Sequence, residues 1–148
     1  MPYKIITYED GAKAPIQDLA EEGRRESPYA GYEFAEATLT KLMAFTTIFV
    51  MMKDDTPVGF LAAFINEQGP ILAGTRVATE LFWYVTPAHR GSSASVTLVE
   101  TYERWAKDNG CKLASMCVMR NKYMKRLGKL YEKLGYYKAE ETYLKELT

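Results

Sequence analysis

One change of hydrophobic period fixes the kind of fold this chain can adopt. From Arg76 to Val85, β-branched and aromatic residues dominate a strand-like run. Beyond Pro87 the apolar positions recur about every 3.6 residues, with Leu98, Val99, Tyr102, Trp105 and Ala106 on one stripe and Glu100, Glu103, Arg104 and Lys107 outside it. Asn109-Gly110 supplies a helix stop, and Lys112 to Val118 reads as strand again. A strand, an amphipathic helix and a second strand in that order predict a right-handed crossover between parallel neighbours.

The flanking segments make the sheet mixed. Tyr3 to Tyr8 reads as a first strand. Behind Pro15, Ile16, Leu19, Ala20 and Gly23 have helical spacing. A second helix is expected from about Tyr32, its stripe made of Phe34, Ala35, Thr38, Leu39, Leu42 and Met43, with Glu33, Glu36 and Lys41 away from it. Thr47 to Met52 and Val58 to Asn66 form a hairpin across Asp54-Asp55-Thr56-Pro57, and Gly69-Pro70 and Gly74 punctuate the next loop. A last helix carries Met124, Leu127, Leu130, Tyr131 and Leu134 and ends at Gly135, and the tail from Tyr136 to Leu147 fits one or two closing strands. At 148 residues there is room for one domain, 1–148. The expected class is α/β: a single-domain, mixed, mostly antiparallel sheet with helices on both faces.

Composition removes several functions. Nineteen basic and nineteen acidic side chains cancel, which argues against a dedicated nucleic-acid or membrane-surface binder. No apolar run approaches the ~20 residues of a membrane span. The opening Met-Pro-Tyr-Lys-Ile-Ile-Thr-Tyr-Glu lacks a basic region, an apolar core and a cleavage site, so a cytoplasmic protein is expected. Cys111 and Cys117 bracket a strand and would stand roughly 20 Å apart if extended, too far for a disulfide or a shared ion. With His89 as the only histidine, no four-ligand zinc site can be assembled, so no metal is expected. Two reduced and mostly buried thiols are the reading.

The chemistry concentrates at the strand-to-helix junction, Tyr84 to Ser95. A tight loop of small residues lets backbone N–H groups face a concavity, the following helix adds partial positive charge, and Arg90 adds a full one. Such a junction suits a pyrophosphate. It equally suits a serine-capped helix start, with Ser92 or Ser93 as N-cap. A P-loop, a dinucleotide fingerprint and a hydrolase elbow all lack their required glycines here.

Val85-Thr-Pro-Ala-His-Arg-Gly91 and Leu130-Tyr-Glu-Lys-Leu-Gly-Tyr136 resemble the two hallmark stretches of the GNAT acyl-CoA-dependent N-acyltransferases. The order strand–helix–helix–three strands–helix–strand–helix–strands is similar to that family over essentially the whole chain. The Tyr-rich close is similar to small members encoded by bacteriophages. The resemblance implies acetyl-CoA as acyl donor, bound by Val85, Arg90, Gly91, Ser92, Ser93, Ala94 and Ser95, with Asn121 the nearest asparagine to the residue that meets the pantetheine arm, ten residues before Tyr131 and about one helical turn further than the family's spacing. Ser93 and Ser95 stand where the family usually has glycines; if either position required φ > 0, serine would carry a steric cost.

Acetyl transfer to an amine sets four requirements. A lysine-like amine is almost wholly protonated at neutral pH, so a base must accept its proton. Glu80 is the named carboxylate; by alternation it shares a face with Phe82 and Tyr84, whereas Leu81, Trp83 and Val85 face the other way. The bland alternative is a solvated glutamate on a sheet edge. The departing thiolate needs an acid, and the resemblance places Tyr131 there, although Tyr131 also fits the apolar stripe. The oxyanion needs a donor, here the backbone N–H of Val85 or its neighbour. The adenosine end needs cations: Arg90 leads, and Lys122, Lys125, Arg126 and Lys129 form a basic face that reads as merely solvated. His89 reads as an exposed loop residue, and Trp83 and Trp105 as core. Tyr29, Tyr32 and Glu33 lie where the family shapes its acceptor pocket, and either meet a cationic amine or pack their loop onto the sheet. The acceptor is an unidentified small molecule or protein, and a homodimer is compatible with the family. The competing reading is a catalytically silent binding or structural protein of the same fold, motivated by Ser93, Ser95 and the spacing of Asn121.

Overall fold

A computed structural model of the protein describes residues 3–32, 36–67 and 74–147. Its contacts gather into two compact units, residues 1–117 and 118–148. Glu33, Phe34, Ala35 and the Gly69-Pro70 pair lie outside the described residues.

The first unit is built on one sheet. β1 (Tyr3–Tyr8), β2 (Thr47–Lys53), β3 (Thr56–Glu67), β4 (Arg76–Val85) and β5 (Leu113–Ser115) lie side by side in sequence order. The first three pairings are antiparallel and β4 with β5 is parallel. The expected mixed, mostly antiparallel sheet is therefore observed. Lys53 pairs with Thr56, so the β2–β3 turn is two residues, Asp54 and Asp55, tighter than the four the sequence suggests. Asp54 takes φ +53°, a left-handed position that Asp tolerates better than most side chains.

α1 (Gln17–Arg25) and α2 (Glu36–Phe45) cover one face of the sheet, and α3 (Ser93–Asp108) serves the other. Leu19, Ala20 and Met43 pack with Ile48, Val50, Phe60, Ala62 and Tyr84. On the opposite face Phe49 meets the rings of Tyr102 and Trp105 edge-on, at centroid distances of 6.5 and 5.6 Å. Continuous burial along β2 follows from helices on both faces. Gly23 sets the close approach of α1 to β4: a Cβ there would stand 2.6 Å from Cε1 of Phe82.

Two irregularities shape the end of the sheet. Ala62 pairs with Phe82 but Ala63 pairs with Glu80, which leaves Leu81 as the extra residue of a β-bulge in β4. β5 is shorter than the Lys112–Val118 expected: its pairing stops at Ser115 opposite Thr79, because the next polar contact, from the N–H of Cys117, goes to a side chain instead of to β4's backbone.

The second unit holds α4 (Met124–Lys133), with Tyr131 its buried residue and Gly135 at φ +93° past its end. The expected closing strands are absent between 136 and 147, where no backbone ladder forms. The polar tail residues pair locally instead: Lys138 Nζ with Glu141 at 2.9 Å, and the Tyr143 hydroxyl with the same carboxylate at 3.2 Å. Among the described residues no helix is long and apolar enough to cross a membrane.

Candidate active site

The bulge at Leu81 decides where Glu80 points. Residues opposite one another in an antiparallel pair share a face, and Ala62 and Ala63 face opposite ways. Glu80, opposite Ala63, therefore lies on the α3 face, while Phe82, opposite Ala62, lies on the α1 face. Simple alternation, which puts Glu80 with Phe82 and Tyr84, fails here because one inserted residue reverses the side-chain parity. Nor is Glu80 a solvated edge residue: it is 4 % exposed. Its Oε2 accepts the backbone N–H of Cys117 at 3.1 Å. Burial pushes its pKa up to about 7, opposed by hydrogen bonds from the Cys117 N–H and side chain. A carboxylate poised there can both accept and hold a proton near neutrality.

β4 ends in the loop that carries the phosphate-like signature. A single 3₁₀ turn, Pro87–His89, leads to Gly91 at φ +74°, and α3 starts at Ser93. Gly91 is the loop's left-handed residue; Ser93 and Ser95 have no positive φ, so serine carries no steric cost at either. Ser92 is the N-cap by position, but its side chain makes no capping bond and donates to the carbonyl of His89 at 3.0 Å. The Ser95 hydroxyl is within 3.4 Å of the same carbonyl, and Ala94 and Ser95 are buried. Ser95 donates its N–H to the Ser92 carbonyl at 3.2 Å, while no N-cap side chain takes the amides of Ser93 and Ala94, which therefore fit an anion.

Arg90 is placed differently from a side chain reaching outward. Its Nε donates to the carbonyl of Val85 at 2.7 Å, its Nη2 pairs with Glu26 at the C-cap of α1, and its guanidinium lies over the Tyr84 ring at 5.3 Å. Tyr84 in turn donates to Glu22 at 3.1 Å, and burial pushes its phenol up to about 12, so it remains a neutral donor. Arg90 thus ties the end of β4 to α1. Glu22 and Glu26 are the partners the sequence reading misses, although with Leu19 and Gly23 they complete an i, i+3, i+4, i+7 face that signals them.

Other expectations meet mixed outcomes. His89 is half-buried, not exposed: its Nδ1 bonds the Tyr3 hydroxyl at 2.8 Å. Cys117 is exposed and Cys111 half-buried, so the thiols are not mostly buried; each follows β5 or precedes it outside the packed ladder. Trp83 and Trp105 are half-buried. Tyr29 and Tyr32 are 45 % and 57 % exposed, so neither packs its loop onto the sheet. Arg24, held by Glu21, orders that loop by donating to the carbonyls of Ala30 and Tyr32 at 2.8 and 2.6 Å. Glu33 lies outside the described residues. In the second unit, Asn121 Oδ1 accepts the N–H of Tyr123 at 2.8 Å, an Asx-type turn ahead of α4. Tyr131 lies 5.7 Å, ring to ring, from Tyr136. Lys122, Lys125, Arg126 and Lys129 are all exposed. Among the described residues no group of three His, Cys, Asp or Glu side chains is set to hold a metal.

The bulged β4, the buried carboxylate beside the bulge and the anion-fitting turn where β4 passes into α3 together form the candidate site. The sequence profile of the acetyltransferase (GNAT) family matches residues 15–136, and the chain belongs to that family. Solved structures agree in fold. An aminoglycoside acetyltransferase from an uncultured soil metagenomic sample superposes with a TM-score of 0.76 at 15 % identity, covering 100 % of both chains. The ribosomal-protein-alanine N-acetyltransferase of Brucella melitensis biovar Abortus 2308 gives 0.76 at 16 % identity over 99 % of each chain. An aminoglycoside N-acetyltransferase in complex with CoA gives 0.69 at 16 % identity, over 98 % of this chain and 94 % of that one. No curated protein sequence matches the chain significantly.

Proposed function

We propose that this protein is an acetyl-CoA-dependent N-acetyltransferase that moves the acetyl group to a primary amine. The observation that carries the reading is Glu80, a carboxylate buried in mid-β4 whose proton affinity sits near neutrality. Acetyl-CoA is the acyl donor. The amides of Gly91, Ser92, Ser93 and Ala94 receive its pyrophosphate, with the α3 dipole behind them. Arg90 acts by holding Val85 and the loop, in keeping with its bonds to the Val85 carbonyl and Glu26. The N–H of Val85 faces the developing negative charge of the acyl oxygen. Glu80 takes the proton that the attacking amine must lose, and Tyr131, from its place in the family motif, returns one to the departing thiolate.

The acceptor is an amine borne by a small molecule or a protein. Two named neighbours, an aminoglycoside acetyltransferase and a ribosomal-protein-alanine N-acetyltransferase, mark both classes as worth testing. The exposed Tyr29 and Tyr32 rings offer cation–π surfaces to such an amine.

The test is acetyl transfer from acetyl-CoA to neamine and to a peptide beginning with alanine, with Glu80→Gln and Tyr131→Phe beside the wild type. Glu80→Gln should cost about 10²–10⁴-fold in rate at neutral pH, with CoA binding kept. Tyr131→Phe should slow turnover without weakening CoA binding, since it removes one hydroxyl and no ring. A Glu80→Gln protein with wild-type rate and the same acid limb would remove Glu80 from the reaction.

A further inference from the structure

The carboxylate of Glu80 is held from a direction the sequence does not announce. Beyond Ser115 the chain leaves the β4 ladder, and two residues on, Cys117 turns back: its N–H donates to Oε2 of Glu80 at 3.1 Å, and its side chain lies near enough to lower the proton affinity of the same carboxylate. Glu80 is buried, whereas Cys117 is an exposed residue. Among the described residues, the neighbouring strands and α3 bring no charge to bear. Across the ladder β3 presents Ala63, and β4 itself has Thr79 and Leu81 on either side. The titratable group that α3 contributes near the end of β5 is Tyr102, whose hydroxyl is committed to the Ser115 carbonyl at 2.8 Å. Among the described residues, burial and Cys117 set the proton affinity of Glu80, and no charged side chain adds to them.

We propose that Cys117 is the positioning residue for Glu80, its thiol and backbone N–H together fixing the carboxylate in the orientation from which it accepts the amine's proton. The inference rests on Glu80 as the base. The two donors act on the ionised form, so they offset part of the cost of burial and keep the group ionisable near neutrality. Removing the thiol leaves one donor and an undiminished burial, and the carboxyl then holds its proton more firmly. The backbone donor survives any substitution at 117, which makes the side-chain contribution separable.

The experiment is a carboxyl ¹³C NMR titration of glutamate-labelled full-length protein without acetyl-CoA, the Glu80 signal assigned by its loss in Glu80→Gln. Cys117→Ala should move the midpoint to higher pH, and Cys117→Ser, which keeps a donor, should return it toward wild type. Both variants change an exposed side chain, and a thermal melt checks that the fold is kept. In acetyl transfer to the amine that supports turnover, the acid limb should follow: below the midpoint Cys117→Ala should run about three- to tenfold slower, with its high-pH plateau retained and Ser restoring the limb. An unmoved midpoint and limb in Cys117→Ala overturn the inference while leaving Glu80 as base. An acid limb that persists in Glu80→Gln overturns the base reading instead.

Discussion

A buried carboxylate has a cost that can be measured. In the folded chain Glu80 titrates at about 7, against an ordinary value of 4.5, because burial disfavours its charged form. Between those two pH values the folded state binds more protons than the unfolded one, so stability falls as pH rises through the window. The contribution is fully present below 4.5 and lost above about 7. Glu80→Gln keeps the shape and an acceptor for the Cys117 N–H but never ionises. We therefore expect it to be more stable than wild type at pH 8 by about 1–3 kcal/mol, and little different at pH 4.5. Urea unfolding at both pH values checks this; a difference of equal size at both would show that the ionisation of Glu80 is not what it relieves. Such a gain, beside a loss of rate, is the exchange of stability for function expected at a catalytic group. At this scale the sequence singled out Glu80 as a candidate, but its burial and its facing were not legible. No residue type at positions 79–82 marks a bulge, and the parity of a strand is set by its partner's pairing as much as by its own residues.

At the scale of elements, what positions the end of β4 is a glycine on a neighbouring helix. Gly23 lets α1 lie close enough for Glu26 to reach Arg90 and Glu22 to reach Tyr84. Phe82, which a Cβ at position 23 would strike, is stacked on Phe60 with 5.6 Å between ring centroids and 4° between planes, so it has little freedom to retreat. Gly23→Ala gains up to ~1 kcal/mol of helix propensity but overpacks this contact, which typically costs ~1–3 kcal/mol. A net loss of stability together with weaker CoA binding is expected, read from urea midpoints and calorimetric titration. A variant as stable as wild type with unchanged affinity would show that α1 does not set the loop. Strands β1 and β4 were legible from their β-branched and aromatic residues and helix α3 from its period, with clear stops such as Pro87 and Gly110. β5 and the tail were not. The apolar run around Leu113 is compatible with a longer strand, yet strand length depends on how far β4 stays alongside, and a tail rich in Tyr becomes strand only where a partner offers its backbone.

For the molecule as a whole, the balance of nineteen basic and nineteen acidic side chains means that no net field draws in a polyanion such as CoA. On the proposed reading its recognition comes from local donors: the amides between Gly91 and Ala94, which the N-cap side chain leaves open, and contacts to the rest of the ligand. Binding to the folded chain alone shifts unfolding by mass action, by about 2.7 kcal/mol when the free ligand is one hundred times its Kd. For a chain of this size ~1 kcal/mol moves the melting temperature by roughly 2–4 °C, so saturating acetyl-CoA should raise it by about 5–10 °C. ATP shares the adenosine and phosphates but lacks the pantetheine arm and the acyl group, and at equal concentration it should shift the melt much less. Arg90→Glu breaks the tie to Val85 and sets a carboxylate against Glu26. It should lower the melting temperature without ligand and also shrink the acetyl-CoA shift, because one side chain holds the loop that supplies the amides. An acetyl-CoA shift no larger than that of ATP would mean that the junction binds phosphate without reading the acyl donor. A full-sized shift in Arg90→Glu would mean that the loop amides need no clamp.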